Sequence, residues 1–320
     1  MSDTARGLPP LLAYAVLAGA VDVYAGDYVQ ALSPVTVAAI SFTIATLGVG
    51  ALTAARHGIG EVFRLMWTNA WDVLALNVLT AITWLSLLYS LKYLEPAVAN
   101  EIAFALGPAL TALAEPLLRR GSRTLRSELL VALGILGLIG MLLWSSTAGL
   151  SGLQHTDPGQ ALLGFALAVV CGLGCVGSVI YAKRLSDAGA SAAATVTVRY
   201  VLLAALCWAL VGGTGTGATV GPALLPSAVI AIIGVALPAW LGQVGIRYVE
   251  PITVALLDTL SPVFAFLLQL PDSRLHPSAL TLIGIVGVTV LVCLGLLARW
   301  RHERRPVPVP PPADLLLERL

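Results

Sequence analysis

Charge is what this sequence lacks. Of its 320 residues, 11% are Asp, Glu, Lys or Arg, against 58% that are apolar. A soluble domain carries about 25% charged residues. There is too little polar surface to cover a water-soluble particle of this length, so the surplus apolar surface must face lipid. Histidine is equally scarce. His57, His155, His276 and His302 all fall in connections or the tail, and none has a second ligand at metal spacing. Cysteine is limited to Cys171, Cys175, Cys207 and Cys293, all inside apolar runs. Cys171 and Cys175 share a helix face at i,i+4, but without a further ligand pair they read as packing residues. No nucleophile elbow and no phosphate-cradling loop is present. These gaps argue against an enzyme, a cofactor and a resident metal; no nucleic-acid partner is expected, although the formal net charge of +1 by itself says nothing about one.

What is present is length and apolarity in blocks. About 20 apolar residues cross a bilayer core as a helix. Ten such runs can be drawn, at 8–28, 34–54, 69–91, 96–118, 127–147, 160–182, 192–211, 223–246, 251–270 and 278–298. Short connections with breakers separate them, among them Ser33-Pro34, Glu95-Pro96, Asp157-Pro158, Glu250-Pro251 and His276-Pro277. The first run reads as a permanent helix rather than a cleaved leader. The tail 299–320 is basic, then proline-rich, and reads as extended and solvated.

The few basic residues are unevenly placed. With the N-terminus inside, fifteen of the 18 Lys and Arg fall on inner segments and two, Lys92 and Arg274, on outer ones, leaving Arg199 within the seventh run. Positive residues collect on the cytoplasmic side, so both termini are expected in the cytoplasm.

The chain also echoes itself. Residues 92–96 read KYLEP and residues 247–251 read RYVEP, 155 positions later. Each is followed by a proline within the next run, Pro108 and Pro262. Gly134 and Gly137 recur as Gly284 and Gly287. Such small residues permit close helix contact, within a chain or between two copies in a homodimer. An odd number of spans per repeat turns the second copy upside down. The expected fold class is therefore all-α integral membrane: ten transmembrane helices in two inverted five-helix repeats, 1–150 and 151–298. Inverted repeats characterise secondary transporters, which hold solute near the midplane.

These features together resemble the drug/metabolite transporter superfamily of EamA type. The resemblance rests on KYLEPAVANEIAFALGPALTALAEPLL at 92–118, on RYVEPITVALLDTLSPVFAFLLQL at 247–270, and on the glycine-bearing runs that follow each. The Gly-Glu pair that family members often carry after the fourth and ninth helices is replaced here by RRGSRTL and PDSRL. The resemblance implies a bacterial inner-membrane carrier of a small organic solute, with a cavity lined by helices one, three, four, six, eight and nine. A structural or regulatory membrane protein is the alternative from another class.

An ionised side chain in a span costs a few kcal/mol or more and usually faces the bundle interior. Asp22, Glu101 and Asp258 are the candidates for proton or cation coupling, because burial favours the protonated carboxyl. Arg199 has two readings: a pair with an acid or an anionic substrate, or a side chain stretched to the inner surface. Asn77 and Trp84 in the third run, and Trp240 and Gln243 in the eighth, precede the two YxEP turns and are candidates to line the cavity.

Overall fold

The computed structural model describes residues 3–58, 60–118, 126–153, 157–215, 220–249, 254, 257, 259–273 and 275–303. Among these there is no strand. The helices are α1 (Asp3–Ala31), α2 (Pro34–His57), α3 (Gly60–Thr68), α4 (Ala70–Tyr93), α5 (Pro96–Leu118), α6 (Arg126–Thr147) and α7 (Pro158–Asp187). They continue with α8 (Ala192–Arg199), α9 (Val201–Thr214), α10 (Val220–Val229), α11 (Leu237–Ile246), α12 (Ser261–Gln269) and α13 (Ala279–Glu303). Seven stretches are long and apolar enough to cross a membrane, and Ala279–Gly295 is a shorter apolar helix. The chain is an all-helical, multi-pass membrane protein, with helix at each of the ten expected spans. Three details depart from the expected spans. The seventh is two helices, broken at Tyr200. The eighth contains a π-helical stretch, Ile230–Ala236. It lies just before Pro238, whose missing N–H cannot continue the regular ladder. Helix α13 runs on to Glu303 and so carries the start of the expected tail.

Helix α3 lies in a connection. It buries Leu65 and exposes Phe63, Met66 and Trp67, with Trp71 exposed just beyond it. A short helix with exposed aromatics suits the membrane–water boundary. Its Glu61 carboxylate accepts a hydrogen bond from the Ser191 backbone N–H at 2.9 Å, tying it to the start of α8.

Helices α1 and α7 are the two axles of the bundle, and glycine lets them in. A methyl group on Gly7 of α1 would lie 2.8 Å from Val249, and one on Gly26 would lie 3.0 Å from Pro96. Those partners belong to the two YxEP turns. Helix α7 does the same in reverse order. A Cβ on Gly164 would meet Leu94 and Tyr93 at 2.9 Å, while Lys183 Nζ donates to the Ile246 carbonyl at 3.3 Å. In each helix the two contacts are nineteen residues apart, about 28 Å at a helical rise of about 1.5 Å. The two turns therefore sit at opposite ends of the bundle, separated by close to a bilayer core of about 30 Å.

Between those ends the axles are held along their lengths. On α7, Gly172 abuts the Ala103 carbonyl of α5, and Gly174 and Gly177 abut Thr83 and Leu79 of α4. On α1, Gly19 abuts Ser261 and Ala265 of α12, and α11 approaches through Gly242 and Gly245 against Tyr14 and Leu11. Helices α6 and α13 pair at the flank, where Gly134 meets Leu291, Gly284 meets Leu142 and Gly287 meets Leu138. Three of the four repeat-marking glycines thus serve packing within the chain, and Gly137 does not.

At the first YxEP turn, Glu95 is buried and its carboxylate gathers three other segments. Its carboxylate accepts from the Gly152 backbone N–H at 2.7 Å, from the Thr281 hydroxyl at 2.9 Å and from the Gln269 side-chain amide. Gln269 Oε1 in turn accepts from the Ala97 N–H at 3.2 Å. The ends of α4, α5, α12 and α13 and the 148–153 connection are thereby joined. Burial pushes the Glu95 carboxyl above its ordinary 4.5, against the donors from Gly152, Thr281 and Gln269, which act the other way. Glu250, its counterpart by sequence, lies outside the described residues.

Two outcomes follow from this packing. Gly172→Ala places a methyl 2.5 Å from a backbone carbonyl and should cost about 1–3 kcal/mol. Gly137→Ala, with nothing within 4 Å, should change stability by less than about 0.5 kcal/mol. Thermal unfolding in detergent compares them; equal midpoints contradict the close crossing. For Glu95, a raised folded-state value means that the folded chain binds the proton more tightly than the unfolded one. Its contribution is full below 4.5 and is lost as pH rises through the folded value. Wild type should therefore gain stability relative to Glu95→Gln as pH is lowered from neutral towards 4.5; a constant difference contradicts it.

Candidate functional site

Two polar sites interrupt the apolar interior, one toward each end. The first belongs to α1, α5 and α12. Asp22 is 3% exposed. Asn100 Nδ2 donates to Asp22 Oδ2 and, at 3.2 Å, to Ser261 Oγ. The approach of α1 to α12 at Gly19, one turn before Asp22, is what lets three backbones converge here. Asn100 Oδ1 and the Oε2 of the adjoining Glu101, both buried, have no hydrogen-bond partner. A buried carboxyl beside an unfilled acceptor is a place where a proton or a small cation has something to gain. Asp22 is four residues from Gly26, so the site lies about 6 Å inside the first YxEP turn.

The second site belongs to α4, α7 and the break between α8 and α9. Asn77 organises the break. Its side-chain amide donates to the Val73 carbonyl at 2.9 Å and the Val198 carbonyl at 2.8 Å, and its Oδ1 accepts from the Leu202 N–H at 3.0 Å. One side chain thus satisfies backbone groups on both sides of the interruption, which lipid could not do. Arg199 extends from this break into the α4–α7 seam. Its Nε donates to Thr80 Oγ1 and its Nη2 to Ser178 Oγ, each at 3.1 Å. The guanidinium also lies 5.8 Å from the Tyr200 ring centroid. The side chain is not stretched to the surface, since both hydroxyl residues are buried. Ser178 is five residues from Lys183, so this site lies about 8 Å inside the second YxEP turn.

The remaining candidates divide. Trp84 is half-buried and packs edge-on against Phe42, with ring centroids 5.0 Å apart, and Phe42 lies 5.1 Å from Tyr200. Trp84 is one helical turn beyond Thr80, so this aromatic group adjoins the Arg199 site. Gln243 is buried and donates to the Ala182 carbonyl at 3.3 Å, linking α11 to α7. Trp240 is 45% exposed and is not brought together with the others. Asp258 lies outside the described residues. Asn100, Thr80 and Ser178 were not singled out from the sequence. Asn100 had a signal, a second polar residue beside Glu101 in an apolar run; Thr80 and Ser178, small hydroxyls common in any span, had none.

Comparison with known proteins fits this geometry. Residues 6–143 match the model of the EamA-like transporter family. No curated protein matches the chain. A solved crystal structure, titled only as that of a protein, is similar to it with a TM-score of 0.58 and 23% identity. It covers 93% of this chain and 98% of that one; at such identity the likeness shows the fold alone. Over residues 6–143, fewer than half of its residues, the chain is similar to the EamA-like transporter family, whose members are membrane transporters of small solutes.

Proposed function

We propose that the chain is a secondary transporter that exports a small organic solute by alternating access, driven by a proton gradient. The reading places it in a bacterial inner membrane with both termini in the cytoplasm. Its moving parts are two inverted halves, 1–150 and 151–298. The observation that carries it is the reciprocal placement of α1 and α7, each touching both YxEP turns about 28 Å apart. Two halves that grip each other's axle in mirror fashion have two arrangements of comparable energy, one open to each side.

Proton coupling is assigned to Asp22 and Glu101. Asp22 joins the halves through Asn100 and Ser261. Protonation removes the charge that holds the Asn100 amide and loosens the tie between α1, α5 and α12. Glu101, with a buried unfilled oxygen on the adjoining residue, offers the second place for the proton. Coupling then means that the halves exchange access when this site is neutral and are held when it is charged.

Vesicles containing the full chain and a pH-sensitive dye test this reading, with solutes first selected by comparing efflux from cells with and without the protein. Asp22→Asn and Glu101→Gln should abolish gradient-driven accumulation while solute–solute exchange persists. Full gradient-driven accumulation in both variants contradicts the coupling assignment.

A further inference from the structure

We propose that the seam around Arg199 is the recognition point for an anionic group on the solute, and that the solute is a small organic acid with an apolar or aromatic body. The inference rests on the transporter reading and names its substrate class. Among the described residues, Arg199 is held by neutral partners: the Thr80 and Ser178 hydroxyls. The Ser178 hydroxyl spends its own proton on the Cys175 carbonyl at 3.0 Å, so toward Arg199 it acts as an acceptor. Among the described residues, the ion pairs are Lys183–Asp187 and Arg184–Asp72, and neither involves Arg199. A guanidinium has five N–H donors in a planar fork that matches a carboxylate or phosphate. Two of them are used here.

The surroundings favour a negative guest. Helix α9 opens at Val201 with its positive end, where α8 closes at Arg199 with its negative end; the discontinuous helices of transporters aim positive ends at anionic substrate groups. Asn77 satisfies the Leu202 N–H but brings no negative charge, because it is an amide. One turn further along the same seam, the buried Thr83 hydroxyl has no hydrogen-bond partner. The acidic site around Asp22 cannot neutralise Arg199, since it lies toward the other end of the bundle. A cation in a low-dielectric span without a fixed counter-charge is costly; an anionic solute supplies that charge on arrival. The Trp84–Phe42–Tyr200 group beside the seam suits an apolar body attached to it.

Equilibrium binding to the purified full chain in detergent tests this, using radiolabelled phenylacetate, succinate and inorganic phosphate, with phenylacetamide as the uncharged control. At least one of the three anions should bind saturably, phenylacetate most tightly, and phenylacetamide at least tenfold more weakly. Arg199→Gln should weaken the anion by roughly 10- to 100-fold, and Arg199→Lys, which keeps the charge but loses the fork, by less. If Arg199→Gln proves unstable, Thr80→Val with Ser178→Ala leaves the cation in place but unanchored, and should weaken binding by severalfold. Anion binding that is unchanged in these variants, or absent in wild type for all three probes, overturns the inference. Because no gradient is applied, the result is independent of the transport reading. A chain that binds these anions without moving them refutes transport alone; a chain that moves solute with full activity in Arg199→Gln refutes anion recognition alone.

Discussion

A single methyl group has no room at Gly172 of α7, where the Ala103 carbonyl of α5 would be 2.5 Å away, nor at Gly19 of α1, where Ser261 and Ala265 of α12 close in to 2.7 Å. Inside a membrane, helices gain little from hiding apolar surface from one another, and contact has to come from close van der Waals approach. The glycines supply that approach. They bring α1 against the α11–α12 side and α7 against the α4–α5 side, and each axle then reaches from one YxEP turn to the other. The two polar sites exist because backbones come this near; short side chains such as Asn100, Ser261, Thr80 and Ser178 could not otherwise meet a charge on a neighbouring helix.

The same dry interior explains where the polar groups go. The break at Tyr200 and the 148–153 connection are each matched to a partner within the chain. Asn77 bridges the break in the seventh span, and Glu95 takes the Gly152 N–H of the 148–153 connection, whose Gly152 and Leu150 carbonyls accept from the His276 N–H and the Ser278 hydroxyl. By contrast, the acceptors at Asn100 and Glu101 are unfilled, and Arg199 has only neutral partners among the described residues. Unfilled acceptors sit at one end and unspent donors at the other. On the proposed reading, the first is where a proton is exchanged and the second where an organic anion is held.

The spans were legible because lipid imposes a length and an apolar composition that survive in any single sequence. The YxEP turns were legible because proline and a charge together mark an end. The inside of the bundle was not, and the reason is physical. In water, polarity tells the exposed face of a helix from the buried one; in lipid both are apolar. Trp84 and Trp240 therefore looked equivalent in sequence, yet one packs against Phe42 and the other is 45% exposed. Glu95 reads in sequence only as part of a turn, because its donors Gly152, Gln269 and Thr281 come from 57, 174 and 186 positions away. The break at Tyr200 carries no proline or glycine, and Asn77, which bridges it, lies on another helix. Asp22, Glu101 and Arg199 were found because charge in a span is conspicuous; which of them meet was decided by glycines elsewhere.

The account depends most on the two turns facing opposite sides of the bilayer. Cysteine placed at position 92 or at position 247 in a chain without its four native cysteines, and labelled in intact cells with a membrane-impermeant thiol reagent, tests that directly. Labelling at 92 without disruption of the membrane, and at 247 only after it, is the predicted result. Equal labelling of both positions in intact cells would contradict the inverted arrangement and, with it, the exchange of access between the halves.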